Sequence, residues 1–148
     1  MQRSRSKTLV ITLGNPFMGE DAIGYKIFEM LEGKVKVVHL PDIFRFNNVY
    51  EGEENVIFID AIYSKKIPEG EIIHLKNDEI FYSLRGKCMD AHFLGIGEAI
   101  KILREMMDKF PEKIHFIGIS CKKFEFGEIR KKVKKETKKA FEKIMEII

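Results

Sequence analysis

Apolar positions along the chain switch between two regimes. Thr8 to Leu13 (TLVITL) is a continuous β-branched and apolar run that stops at Gly14. Such a run predicts a strand buried on both faces, as in parallel sheets. After Glu20 the period changes, and Ile23, Ile27, Met30 and Leu31 fall on one helical stripe with Gly33 as its stop. Val35 to Leu40 predicts a second strand, ended by Pro41. Val56 to Ile59 is a third buried run, followed directly by Asp60, and Gly70 to Leu75 is a fourth strand with the look of a sheet edge. A second helix starts at His92, with Ile96, Ala99, Ile100, Leu103, Met106, Met107 and Phe110 on its inner face and Pro111 at its close. Ile114 to Ser120 is a further strand. The last helix runs from about Glu128 to the end, with Ile129, Val133, Phe141, Ile144 and Ile148 inward.

Strands that alternate with helices and are themselves apolar imply an α/β fold. The expected architecture is a three-layer sandwich, a mostly parallel central sheet of about five strands flanked by helices. It forms a single domain over residues 1–148, with no linker-like stretch and no internal repeat. In such sheets ligands sit beyond the carboxyl ends of the strands, so function is expected there.

Composition narrows the classes. The chain has 148 residues, 45% of them hydrophobic, enough for one packed core. Its two cysteines, Cys88 and Cys121, are too few for a disulfide scaffold and lack zinc-site spacing. No apolar run is long enough for a membrane span, and no signal peptide is evident, so a reducing cytoplasm is the expected location. A net charge of +3 does not point to nucleic acid. The basic last helix (Arg130, Lys131, Lys132, Lys134, Lys135, Lys138, Lys139) reads as a solvated face, without the aromatic interleaving of a nucleic-acid surface. Charged residues make up 33%, rich in Lys and Glu, which leans toward a thermophile.

Three polar groups fall at the predicted strand and helix ends. Glu20 and Asp21 open the first helix, where carboxylates also serve as caps. The glycines around them do not make a dinucleotide loop, because two negative charges stand where a pyrophosphate needs amide donors. Asp60 follows a buried strand, a costly place for a carboxylate unless it is paired, bonded to loop amides or coordinated. His92 begins the second helix, where the dipole favours the neutral, metal-binding imidazole. Singly, each has a bland explanation. Together, two carboxylates and an imidazole make either an O,O,N metal site with open positions, suited to nickel or zinc, or a metal-free acid–base cluster. His39, His74 and His115 sit inside strands and read as structural. Neither cysteine has an activating partner nearby in sequence.

The order of these segments resembles the [NiFe]-hydrogenase maturation endopeptidases. The resemblance rests on Gly14-Asn15-x-x-Met18-Gly19-Glu20-Asp21-x-x-Gly24, then Asp60-Ala61-Ile62 with Ser64-Lys65-Lys66 and Pro68-x-Gly70-Glu71, then Ala91-His92-x-x-Gly95, and last Phe116-Ile117-Gly118-Ile119 with Phe124-x-Phe126-Gly127. It covers nearly the whole chain. It implies an endopeptidase that removes a C-terminal extension from a hydrogenase large-subunit precursor after nickel insertion. It also implies that Asp21, Asp60 and His92 are both the metal-contacting and the catalytic residues. The nickel belongs to the substrate, with no metal held tightly by the free protein.

One segment departs from the family pattern. Leu40-Pro41-Asp42-Ile43-Phe44-Arg45-Phe46-Asn47-Asn48 lacks the usual glycine pair. It reads as a packed loop covering the sheet, with Phe44, Arg45 and Phe46 as an alternative partner-binding edge. Because of it, a non-catalytic metal-checking or large-subunit-binding module of the same fold stays open as a second reading. A small-ligand binding protein with a capped helix at Asp21 is a third.

Overall fold

Why the apolar runs become strands is visible in their burial. In β1 (Thr8–Leu13), the residues Leu9, Val10, Ile11 and Thr12 are all fully buried, because both faces of the sheet are covered. The structure, a computed structural model, describes residues 7–14, 23–63, 67–81, 91–121 and 131–147. After β1 come α1 (Ile23–Leu31), β2 (Val37–Leu40), a 3-10 turn (Ile43–Arg45), the short α2 (Phe46–Val49), β3 (Asn55–Tyr63), β4 (Ile72–Lys76), α3 (Ala91–Met106), β5 (Lys113–Cys121) and α4 (Lys131–Ile147).

The strands form one five-stranded sheet in the order β2-β1-β3-β5-β4. The β1–β2, β1–β3 and β3–β5 pairs are parallel, and β4 runs antiparallel to β5 at the edge. The expected α/β class and mostly parallel five-stranded sheet are thus observed.

Alternation divides the core in two. Leu9, Ile11, Val56, Phe58, Ile62 and Phe116 face one side, packed with Phe46 and with Ile96, Ala99, Ile100 and Leu103 of α3. Val10, Ile57, Ile59, Ile117 and Ile119 face the other, packed with Ile23, Ile27 and Leu31 of α1 and Ala140 and Ile144 of α4. The middle layer is the sheet. α1 lies close on β1 at Gly24, where a Cβ would stand 2.0 Å from the Leu13 carbonyl oxygen, so only glycine fits.

Several boundaries and placements differ from the sequence reading; β4 spans Ile72–Lys76 rather than Gly70 to Leu75, and β5 gains a residue at each end. β2 starts at Val37, because Val35 is drawn into an isolated bridge with Glu32 beside the Gly33 turn. β3 runs on through Asp60 to Tyr63, because β5 extends equally far and pairs with it residue for residue. α3 stops at Met106, which is 71% exposed, and Met107 takes the inward place. The departing loop packs as expected and also forms a 3-10 turn, which Asp42 caps by accepting from the Phe44 backbone N–H at 3.0 Å. Phe46 plugs the core beside Phe58, ring centroids 5.2 Å apart, while Phe44 stays half exposed. Ile148 and the side chains of Ile129 and Val133 lie outside the described residues.

Candidate active site

The carboxyl edge of the sheet is where β1, β2, β3 and β5 end, and three ordered features meet there. The first is Asp60. It sits inside β3, opposite Gly118 of β5 and one residue past the last β1–β3 pair, Thr12 with Ile59. Its neighbours at alternate positions, Phe58 and Ile62, belong to the α3 side of the core, so its side chain faces that layer. It is only 2% exposed, and its Oδ1 accepts from the Ala61 backbone N–H at 2.8 Å. A buried carboxylate needs such partners, and this one keeps a place at the ligand edge of the sheet. Gly118 opposite is tightly surrounded: a Cβ there would stand 3.0 Å from the Phe116 side chain and 3.1 Å from that of Ile62, so a neighbour would have to shift.

The second feature is the start of α3. This sixteen-residue helix delivers the chain toward the beginning of β5, so its first turn lies toward the opposite, carboxyl edge, on the same face as the Asp60 side chain. His92 is its second residue; the His92 side chain lies outside the described residues. The third feature is the exit from β1 at Gly14, which adopts a φ of 124°. Glu20 and Asp21 follow it and lie outside the described residues, as do Ser64-Lys65-Lys66, Cys88 and Phe124 to Gly127. The topology therefore places Asp60, the first turn of α3 and the exit from β1 toward the same edge of the sheet.

Two anchors at this edge carried no signal that the sequence reading used. Ser120 is fully buried at the end of β5 and ties down the turn before β4. Its Oγ–H donates to the Ile67 carbonyl at 3.1 Å, its N–H donates to the Glu71 carbonyl at 2.9 Å, and its carbonyl accepts from the Gly70 N–H at 2.7 Å. His39 of β2 is the other. Its Nε2 lies 2.7 Å from the Gly14 carbonyl oxygen and its Nδ1 lies 2.9 Å from Thr12 Oγ1. The remaining strand histidines, His74 and His115, pair across β4 and β5 with Nε2 and Nδ1 2.9 Å apart and rings stacked. Burial, then the nearby His115, Lys76 and Lys143, pushes the His74 imidazole down to about 4. All three lie within strands, and each ring has a hydrogen-bond partner.

Among the described residues no group of three or more His, Cys, Asp or Glu is placed to hold a metal, and no helix is long and apolar enough to cross a membrane. A cavity of about 800 Å³ lies at the opposite pole, where β3 and β5 begin, lined by residues such as Tyr50, Glu54, Met106 and Phe110. The strand-end rule gives that pole no role in this chemistry.

A model of the hydrogenase maturation protease family matches residues 33–147. The chain belongs to that family. The matched span takes in Asp60 and His92, and Asp21 precedes it. Protein FrxA of Pyrococcus furiosus is 37% identical over 135 residues, covering 88% of this chain and 97% of the relative. The hydrogenase 2 maturation protease of Escherichia coli is 27% identical over 120 residues, covering 76% of this chain and 72% of the relative. Among solved structures, the [NiFe] hydrogenase maturation protease HybD from Thermococcus kodakarensis superposes with a TM-score of 0.84 at 37% identity, covering 95% of this chain and 97% of that one. The Escherichia coli hydrogenase maturating endopeptidase HybD shares the fold, with a TM-score of 0.75 at 24% identity over 95% of this chain and 90% of that one. This maturation protease therefore has the α/β scaffold of its family along nearly its whole length.

Proposed function

We propose that this protease removes the C-terminal extension of a [NiFe]-hydrogenase large-subunit precursor once nickel has been inserted, and that it reads the substrate's nickel through Asp21, Asp60 and His92. The observation that carries this reading is Asp60: a buried carboxylate at the carboxyl edge of the sheet, on the face covered by the helix that begins with Ala91 and His92. Two carboxylates and a neutral imidazole suit a metal of intermediate softness. They leave positions open for the ligands that the substrate itself supplies.

The chemistry required is peptide hydrolysis. A water oxygen adds to the scissile carbonyl carbon, the C–N bond breaks, and the leaving amine takes up a proton. A carboxylate of the trio orients that water and receives its proton. Nickel held between substrate and protease stabilises the charge that develops on the carbonyl oxygen. A cytoplasmic setting, where the precursor would be assembled, is part of the same reading.

Processing by single variants tests the trio. Asp21→Asn, Asp60→Asn and His92→Ala are each expected to leave a nickel-loaded precursor intact while circular dichroism shows a folded protein. Full trimming by any of the three removes that residue from the site. Tight binding of the precursor by the wild-type protein without any trimming would instead favour a large-subunit-binding module.

A further inference from the structure

We infer that His39 is a positioning residue that fastens both ends of the segment carrying Asp21. The inference rests on the reading of Asp21 given above, but its geometry comes from residues 12–14, 23–28 and 39.

The imidazole works on the entry to the segment first. Thr12 and His39 are register partners on β1 and β2. A carbonyl oxygen only accepts, so the 2.7 Å contact to Gly14 fixes Nε2 as the protonated, donating nitrogen. In the neutral ring Nδ1 is then a lone pair, and Thr12 Oγ1–H donates to it at 2.9 Å. Thr12 is fully buried, so its hydroxyl has little access to water and orients the ring. The relay Thr12 to His39 to Gly14 sets the direction of the last carbonyl before the segment departs, at a glycine with a φ of 124°.

The same ring also touches the exit. Tyr25 and Phe28 of α1 pack on it, Tyr25 edge-on at 5.1 Å between centroids and Phe28 tilted at 6.1 Å. Gly24, the residue just before Tyr25, brings the α1 backbone against Leu13. His39 thus joins the residue before the segment and the helix after it, from a strand that belongs to neither. An edge strand needs no imidazole for its own pairing. A catalytic carboxylate, by contrast, loses efficiency when its backbone is displaced by about an ångström.

Two substitutions separate the functions of the ring. His39→Phe keeps an aromatic ring for Tyr25 and Phe28 and removes the donor. His39→Gln restores an amide N–H near the position of Nε2 and removes the ring. In His39→Phe, hydrogen exchange in peptides covering 14–24 should quicken while β3 and β5 keep their protection. Its kcat on nickel-loaded precursor should fall by about ten- to a hundredfold with KM nearly unchanged. His39→Gln should recover most of kcat. Unaltered exchange over 14–24 in His39→Phe, or faster exchange spread evenly over the sheet, overturns the inference. So does a wild-type kcat in His39→Phe when Asp21→Asn is inactive. If Asp21→Asn processes normally, the reading of Asp21 fails instead, and the exchange result alone decides whether His39 fastens the segment.

Discussion

Asp60 shows what one residue reveals and conceals. A carboxylate after an apolar run reads as a strand end, because aspartate is depleted within strands. In fact β3 carries Asp60 through to Tyr63 and buries it. Its position at the ligand edge was legible; its burial was not, because that depends on β5 pairing opposite. Asp21 and His92 are singled out by helix starts and by the order of motifs, and the Asp21 residue and the His92 side chain lie outside the described residues. Glycines give a sharper test at this scale. Gly24→Ala would drive a methyl into the Leu13 carbonyl, and is expected to lower stability in urea unfolding by about 1–3 kcal/mol. Gly95→Ala lies in α3 with nothing within 4 Å of the added methyl. It is expected to raise stability by about 0.5–1 kcal/mol in the same measurement, through helix propensity and reduced chain freedom. The reverse order of the two variants would contradict the packing described.

Among the elements, β1, β3 and β5 were readable because strands buried on both faces leave uninterrupted apolar text, and the long helices because their inward residues recur at helical period. The direction of β4 was not, since a short apolar run reads the same in a parallel and an antiparallel edge strand. The end of α3 was misread because Met106 falls at the margin of the apolar stripe, where periodicity cannot separate flank from core. Pairing of β4 with β5 has a consequence for pH. The His74 imidazole is held at about 4, chiefly by burial and then by His115 and the lysines Lys76 and Lys143, and His115 below its ordinary value, chiefly by burial and then by Lys76 and Lys113. The unfolded chain takes up these protons near pH 6.5 while the folded one refuses them. Stability is therefore full above about pH 6.5 and declines as pH falls toward about 4. Urea midpoints at several pH values should show this decline, and His74→Leu should flatten it. An equal slope in the variant would detach the effect from the pair.

A second element-scale device sits before β3. Burial alone would lower the Lys36 ammonium, yet its bonds to Glu53 and Glu51 outweigh this and raise it. Burial alone would raise Glu53, and the bond from Lys36 with backbone N–H groups holds it below its ordinary value. The Glu53 side chain is 2% exposed, so Lys36→Met would leave a buried carboxylate with its backbone N–H partner but no cation. That variant is expected to lose about 2 kcal/mol in urea unfolding at neutral pH. Because the Glu53 carboxyl is depressed, the loss should shrink as pH falls through the carboxylate range. A constant loss at all pH values would assign the cost to packing of the lysine stem instead.

For the whole molecule, scaffold and chemistry are separable. The sheet and its two cores need only apolar runs in the right order, which any α/β protein of this class supplies. The family is shown by the match over residues 33–147 and by relatives aligned over most of their length. In the proposed reading substrate and metal are a matter of the carboxyl edge, where Asp60 and the first turn of α3 lie and where β1 leaves the sheet at Gly14. The most direct measurement is the intact mass of a hydrogenase large-subunit precursor after incubation with the wild-type protein, with and without nickel loaded. The loaded precursor should lose one defined C-terminal peptide and the nickel-free precursor should keep it, with Asp60→Asn leaving both uncut. A loaded precursor of unchanged mass, or one trimmed equally well by Asp60→Asn, would contradict the assignment.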